Sequence, residues 1–319
     1  MATGATLHRP VLLAELLAAL DVRSDGTYVD ANLGGGGHAE AVLEANAPHG
    51  RLLGIDADGG AITRSRARLE RFGSRLSTFH GNSRDLAQAL ADANFTDIDG
   101  VYFDLGLSSD QLADRARGFG IRAGGDLDLR FDTRSGETAA TLLEQASIAE
   151  LEQIFRTYGD EPNAGKIARA IGAAREQAPV ATAEELARLI EQVVPQRQGR
   201  PHRIHPATRV FQALRIVIND EMTALRIALT VAISALRVGG RIVVLTYHSL
   251  EDRIVKQAFA AAARDCICPP QLPVCACNHR AELRLVNKHP ITASEQEIAD
   301  NPRSRSAKLR AAVRLEHAA

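Results

Sequence analysis

The stretch Tyr28-Val-Asp-Ala-Asn-Leu-Gly-Gly-Gly-Gly-His38 decides the fold. A short apolar run ends in an acid, Asp30, and four glycines then lead into a helix-forming segment that begins near Ala39. Glycine takes positive φ at little cost and lets a backbone approach a ligand closely; the helix N-terminus beyond it offers unpaired N–H groups. Gly34, Gly36 and Ala39 fit the G-x-G-x-x-[GA] spacing of nucleotide-binding βαβ units. That spacing alone admits several cofactors. Asp30 narrows the choice, because a carboxylate at the strand end can take up the ammonium of a methionine moiety. A nicotinamide cofactor carries no cation there. The ligand this pattern predicts is S-adenosyl-L-methionine.

Outward from this loop the same alternation repeats. Arg51-Leu-Leu-Gly-Ile-Asp56 is a second apolar run closed by an acid, Leu76–His80 is a third, and Gly100–Leu105 is a fourth that contains Asp104. Helix-patterned stretches, Ala39–Asn46 and Gly59–Phe72, separate them, and an amphipathic helix over 9–22 comes before them. Strands alternating with helices make a parallel sheet, and ligands gather at the carboxyl ends of its strands. Asp30, Asp56 and Asp104 are therefore expected on one rim. Asp56 suits the two ribose hydroxyls of an adenosine, with a helix N-cap as its purely structural alternative.

The rhythm stops after Gln111. Residues 115–136 are rich in Gly, Arg and Asp, and from Ala139 to about Val194 the apolar spacing is helical throughout. A long helix over Pro206–Leu236, stopped by Gly239-Gly240, is expected to feed a strong strand at Arg241–Tyr247. The fold class is α/β: a Rossmann-like core over 1–112 and 209–319, interrupted by a helical insertion over 113–208.

At 319 residues with 45% hydrophobic content, the chain can bury a sizeable core, and no apolar run approaches the length of a membrane span. The first residues lack the basic-then-apolar pattern of a leader, so a soluble cytoplasmic protein is expected, with no membrane partner. Net charge is −1, from 38 basic and 39 acidic residues. Two stretches depart locally from this balance. Pro302–Arg314 holds Arg303, Arg305, Lys308, Arg310 and Arg314 without an acid; Arg197–Arg209 holds four arginines and two histidines, also without one. Both suit phosphate contact, although charge alone favours a solvated surface for each.

The motifs together resemble one family, the bacterial 16S ribosomal RNA cytosine-N4 methyltransferases. The resemblance runs from His8 to Arg314. It is carried by His8-Arg-Pro-Val-Leu-Leu-Ala-Glu15, the Gly34–His38 loop, Phe103-Asp-Leu-Gly-Leu-Ser-Ser109 and Arg117-Gly-Phe119. Further on it rests on Asp126-Leu-Asp-Leu-Arg130, His205-Pro-Ala-Thr-Arg-Val-Phe-Gln-Ala-Leu-Arg215, Tyr247-His-Ser-Leu-Glu-Asp-Arg-Ile-Val-Lys256 and Asn301-Pro-Arg-Ser-Arg-Ser-Ala-Lys-Leu-Arg310. It implies a class I methyltransferase core, small-subunit ribosomal RNA as partner, and methylation of the exocyclic amine of one decoding-site cytosine. By the same resemblance, cofactor contacts fall on Gly36, Gly37, His38, Asp56, Ser83, Asp104 and Gln111. Ser83 stands where the family commonly has an aromatic, Asp110 where it has a proline, and Pro162 where it has an arginine.

A cytosine amine is a poor nucleophile, because its lone pair is delocalised into the ring. An acceptor for its N–H bonds returns density to nitrogen, and Asp104 is the candidate, with Ser108 and Ser109 on the following turn. Its competing role is cofactor contact. His248, after the last strong strand, titrates near neutrality and is a candidate base, with structural hydrogen bonding as the alternative. Glu251 and Asp252 read as helix-capping acids. Arg209, Arg215 and Arg253 are candidates for phosphate; Phe119 and Tyr247 are candidates for base stacking, with core packing as the alternative for both. Cys266-Ile-Cys268 and Cys275-Ala-Cys277 carry all four cysteines. Four thiolates this close suit tetrahedral zinc, yet C-x-C is tighter than the usual C-x2-C knuckle, so a reduced loop without metal is the expectation. Two rival functions remain at this point: a nicotinamide oxidoreductase, and an RNA-binding assembly factor with a vestigial cofactor site.

Overall fold

A parallel strand covered by helices on both faces must be apolar along its length, and Arg51–Asp56 buries its four central residues without alternation. Runs of this kind build the sheet. The computed structural model describes residues 10–121, 125–194, 205–266, 268–269, 272, 274–277 and 280–316. The chain opens with α1 (Leu13–Leu20), β1 (Thr27–Asp30), α2 (Gly37–Ala45), β2 (Arg51–Asp56), α3 (Gly59–Arg68), β3 (Leu76–His80), α4 (Leu86–Asp92) and β4 (Ile98–Asp104). A helical run follows: α5 (Ser109–Ala113), α6 (Ala139–Gln145), α7 (Ile148–Gly159), α8 (Ala164–Arg175), α9 (Ala183–Val193) and α10 (Thr208–Ile218). Then come α11 (Glu221–Ala235), β5 (Leu236–Thr246), α12 (Ser249–Ala262), β6 (Leu283–Leu285), β7 (Ile291–Thr292), α13 (Glu295–Asp300) and β8 (Lys308–Arg314).

The strand order is β3-β2-β1-β4-β5-β8-β6, with β7 also paired to β8. The first five strands in that order are mutually parallel, while β8 runs antiparallel to β5. This is the α/β Rossmann-like arrangement expected from the sequence. Asp30 pairs with Gly54 on one side and Tyr102 on the other, so Asp56 and Asp104 each lie two residues beyond it at the same edge.

The chain divides into two compact units, each with its own core. The sheet unit comprises His8–Gly106 and Met222–Ala319; its core includes Leu12, Leu16, Tyr28, Leu43, Leu52, Tyr102, Val243 and Leu309. The helical unit is Leu107–Glu221, built around Leu143, Leu151, Phe155, Ile167, Ile171, Leu186, Ile190 and Phe211. Its helices are sharply started: Ser147 with Glu150 and Thr182 with Glu185 form reciprocal caps on α7 and α9. The sequence reading put the insertion at 113–208; the helical unit also takes in α5 and α10.

The long helix expected over Pro206–Leu236 is instead two helices. Asp220 adopts a left-handed conformation (φ 46°) that ends the helical path. Asn219 beside it spends its side chain on tertiary bonds, accepting from the Phe131 amide (2.6 Å) and donating to the carbonyls of Leu129 (2.7 Å) and Arg215 (2.8 Å). Gly239-Gly240 is not a helix stop either. The pair lies inside β5, where the register jumps from Leu236 opposite Ile98 to Arg241 opposite Gly100. Gly239 has φ +79°, and a Cβ on Gly240 would fall about 3 Å from three carbonyl oxygens, so the bulge requires both glycines.

Two readings of the basic residues also change. Lys308 and Arg310 reach Asp252 at 3.2 and 2.7 Å, and Arg314 pairs with Glu282. Burial of Asp252 is more than offset by these two cations, which hold its carboxyl below the usual range. Arg215 is buried and grips Glu221 at 2.7 Å within the helical unit. These cations hold acids of the fold rather than phosphates, because each alternates along its strand or helix with a buried apolar face. Arg197, Arg200, His202 and Arg203 lie outside the described residues. Phe119 packs in the helical core, stacked on Phe131 at 5.5 Å, so it is no base-stacking platform. Among the described residues no helix is long and apolar enough to cross a membrane.

Asn219 ties the Leu129–Phe131 segment to α10, so Asn219→Ala should lower the stability of the helical unit by about 1–3 kcal/mol. Thermal unfolding and proteolysis of the 126–138 segment measure this, and an unchanged melting temperature with an equally resistant segment contradicts it.

Candidate functional site

The glycine loop between β1 and α2 is shaped as much by the protein as by any ligand. A Cβ on Gly37 would lie 2.5 Å from Cγ of Pro10, and one on Gly36 3.2 Å from Leu69. Packing opposes a side chain at Gly37, and at Gly36 a tight fit combines with a left-handed φ of +76°. Gly34 is different: its φ is +51° and the space around it is open. Its N–H donates to Asp56 at 2.7 Å, and the Asp58 N–H donates to the same carboxylate at 2.8 Å. Asp56 thus holds the loop against the end of β2. Burial pushes its carboxyl up to about 6, against the pull of those two N–H donors. The helix N-cap at α3 is filled by Asp58, which accepts from Gly60, so the structural alternative for Asp56 falls to its neighbour.

Asp30 closes β1 with 1% of its surface exposed. The Tyr102 hydroxyl donates to it at 2.8 Å and the Asn32 amide at 3.0 Å. Burial dominates over these donors and over nearby His38, and it pushes the Asp30 carboxyl up to about 7. Two residues on, Asn32 Oδ1 is buried with no hydrogen-bond partner. A carboxylate destabilised by burial beside an orphaned carbonyl oxygen is an environment that lacks a cation with N–H donors. The ammonium of a methionine moiety supplies both features, so the residues present fit S-adenosyl-L-methionine.

His38, on the first turn of α2, lies between two acceptors. Its Nε2 is 3.0 Å from the Val11 carbonyl and its Nδ1 is 3.3 Å from Asp104 Oδ2. A carbonyl and a carboxylate can only accept, so the ring must donate from both nitrogens and carry a charge. Burial opposes this, but Asp104, Asp30 and the Val11 carbonyl together raise its pKa above the ordinary histidine value. The other Asp104 oxygen accepts from the Tyr247 hydroxyl at 2.6 Å. Asp104 is therefore a carboxylate held by two donors, one on each oxygen. That arrangement fixes its position. Gly106 (φ +101°) turns the chain beside Tyr247: a Cβ there would fall 3.3 Å from the tyrosine ring.

The remaining predicted residues divide between the two units. Ser83 starts the turn after β3, the strand outside β2, and its hydroxyl lies 3.5 Å from Asn82 Oδ1. Ser108 and Gln111 belong to the helical unit. There they cap α5 reciprocally: Ser108 Oγ accepts from the Gln111 amide at 3.1 Å and Gln111 Oε1 from the Ser108 amide at 3.0 Å. His248 is the N-cap of α12, and its Nδ1 accepts from the Glu251 amide at 3.4 Å. Glu251, 2% exposed, accepts from the amides of Tyr247 and His248. The capping reading of Glu251 holds, and His248 has a structural bond of its own. Tyr102 escaped the sequence reading as a site residue, and Tyr247 was read there as a base-stacking candidate, not as a partner of Asp104. Tyr102 and Asp104 stand two apart on β4 and so share a face; the Tyr-x-Asp spacing within the strand was the available signal. Tyr247 touches Asp104 across β5, and only the sheet pairing brings it there.

A family model described as the MraW methylase family matches residues 5–315 of this chain. The ribosomal RNA small subunit methyltransferase H of Thermomicrobium roseum is 53% identical over 312 residues, covering 98% of this chain and 95% of its own. The protein of the same name from Trichlorobacter lovleyi is 46% identical over 308 residues, covering 97% of this chain and 98% of its own.

Asp30 binds its proton more tightly folded (about 7) than an unfolded aspartate does (about 3.9). Between those values the native state holds more protons than the unfolded one, so stability falls as pH rises through that window. Asp30→Asn should therefore stabilise the ligand-free protein by about 1–3 kcal/mol at pH 8 and by little at pH 4, while weakening adenosylmethionine binding more than tenfold. Denaturant melts at both pH values test this, and a stability gap that does not change with pH removes the buried-charge explanation.

Proposed function

This chain belongs to the MraW methylase family, and from that premise we propose that it methylates N4 of a decoding-site cytosine in 16S ribosomal RNA. The observation that carries the reading is the pairing of a cation-hungry pocket, Asp30 with Asn32, with full-length similarity to small-subunit rRNA methyltransferases. The cofactor is S-adenosyl-L-methionine, which supplies a methyl group already made electrophilic by its sulfonium. The nicotinamide alternative has no use for Asp30, and a vestigial site would not keep a buried carboxylate at such expense in stability.

The chain's own residues have separable tasks. Asp56 presents a fixed acceptor for ribose hydroxyls, and Asp30 with Asn32 receives the ammonium. The charged His38 and the N-terminus of α2 give the methionine carboxylate a positive surrounding. Gly36, Gly37, Ser83 and Gln111 complete the cofactor contacts in this proposal. Asp104, held by His38 on one oxygen and by the Tyr247 hydroxyl on the other, is a positioning acceptor for the cytosine amine more than a proton acceptor. Ser108 and His248 are the further candidates around the amine. RNA recognition is assigned to the helical insertion, and the target base must leave its stack to reach a rim of this kind. In this reading the protein works in the cytoplasm, alongside the ribosomal RNA it modifies.

The direct test supplies unmethylated small subunits and labelled cofactor, then identifies the modified nucleoside by mass spectrometry. N4-methylcytidine at a single position is the expected product; methylation of another base or of ring carbon overturns the assignment. Asp104→Asn separates the roles further. If Asp104 positions the amine, single-turnover transfer at saturating cofactor should drop by about tenfold to a hundredfold, within the range for a lost positioned polar group. Wild-type cofactor affinity together with wild-type transfer would remove Asp104 from the site.

A further inference from the structure

Far from the rim, the four cysteines converge. The Sγ atoms of Cys266, Cys268, Cys275 and Cys277 all lie within 4.8 Å of one another. Cys275 and Cys277 are 3.6 Å apart, and Cys277 and Cys266 3.8 Å. A tetrahedron of sulfurs about 2.3 Å from a central zinc has edges of about 3.8 Å, whereas a disulfide requires about 2.05 Å. The spacing matches the first and is far from the second. We propose that Cys266, Cys268, Cys275 and Cys277 bind one structural zinc ion, replacing the metal-free reading of this loop.

The surroundings argue the same way. The amide of Ala276 points at Cys268 Sγ at 3.4 Å, the kind of N–H donor that stabilises a metal-bound thiolate. Among the described residues of the loop, the large apolar side chains face solvent instead of holding the sulfurs together: Leu272 is 50% exposed and Val274 75%. Between α12 and β6 no helix or strand appears among the described residues. The stem is closed by the Glu282 amide on the Ala262 carbonyl (2.7 Å) and the Ala281 amide on Asp265 Oδ1 (3.2 Å). A segment of this length without apolar packing needs another source of cohesion. Binding releases the thiol protons and leaves a site of charge −2, and Arg264 and Arg280 flank the loop in sequence. The objection from C-x-C spacing disappears once the two pairs face each other, because each pair contributes only one edge of the tetrahedron.

Its place in the fold makes the ion structural. α12 starts at the rim with His248 and runs for 14 residues, about 21 Å at 1.5 Å per residue. β6 then begins with Leu283 opposite Arg314, the last residue of β8, whose neighbour Val313 pairs with Arg241, five residues before the Thr246 end of β5. The cysteine loop therefore lies at the edge of the sheet opposite Asp104. The zinc fastens the end of α12 to the outer strands and takes no part in methyl transfer.

Tag-free protein, purified without chelator, is to be analysed for metals and titrated with an organomercurial in the presence of a zinc indicator. About one zinc per chain, released in step with modification of four thiols, is the expected result. Replacement by cobalt should give the charge-transfer and intense visible bands of tetrahedral thiolate ligation. Both readouts use the folded wild-type chain, so a misfolded variant cannot obscure them. The variant with all four cysteines changed to Ser should lose the zinc, become protease-sensitive between 264 and 281, and keep methyl transfer per folded molecule. Four titratable thiols without metal in zinc-replete protein, iron in place of zinc, or a mass four hydrogens short from two disulfides would each overturn the proposal.

Discussion

A carboxylate buried at the end of β1 sets the terms for the rest of the rim. Asp30 is 1% exposed, and an ion withdrawn from water is unfavourable unless paired and hydrogen-bonded. The protein supplies a neutral hydroxyl and an amide, but no paired cation, and the carboxyl responds by moving up to about 7. Around it the same economy repeats with different partners. Asp56 receives only backbone N–H groups, whereas Asp104 receives a tyrosine hydroxyl and a charged histidine. Three acids at the ends of three adjacent strands therefore have three different electrostatic states. In the proposed reading, that difference lets one sheet edge hold an ammonium, a pair of hydroxyls and an amine without exchanging them.

Most of the sheet could be read from the chain, because the signal was local. Each parallel strand is a short apolar run closed by an acid or a turn, and β1, β2 and β3 fall at the residues their pattern marks. The failures were not local. Nothing within Pro206–Leu236 announces a break, since Asn219 and Asp220 are ordinary on a helix surface; the break exists because Asn219 is needed by Leu129 and Phe131, almost 90 positions away. Gly239-Gly240 carried a true signal with two solutions. A helix stop and a strand bulge both want positive φ, and only the partner strand chooses between them.

The candidate site divides along the same line. Asp30, Asp56 and Asp104 were legible because a parallel sheet sends every strand end to one edge. The electrostatic states of Asp30 and Asp104 were not, since these depend on Tyr102, Tyr247 and His38, which only the folded sheet brings beside them. Charge was the least legible property. Lys308, Arg310 and Arg314 looked like a phosphate-binding stretch, because the sequence shows that no acid lies nearby along the chain. The acids that neutralise them, Asp252 and Glu282, arrive from α12 and the start of β6. A local excess of one sign is evidence of a binding surface only once the sheet partners are known.

The pairing of His38 with Asp104 leads one step further. A neutral histidine would leave a lone pair facing either the Val11 carbonyl or the Asp104 carboxylate, and each arrangement is repulsive. Charging the ring removes the conflict and makes His38–Asp104 a nearly neutral pair at the mouth of the glycine loop. A carboxylate so paired keeps a fixed orientation without adding negative charge to a pocket that already has Asp30 and Asp56. Methyl transfer needs the amine nitrogen uncharged and the sulfonium undisturbed, and extra unpaired anions would hold the cationic cofactor in its ground state. In the proposed mechanism, the histidine on α2 thus lets Asp104 act by geometry. The same reasoning explains why Tyr247, a neutral donor, occupies the second oxygen: another cation there would overshoot neutrality and repel the cofactor.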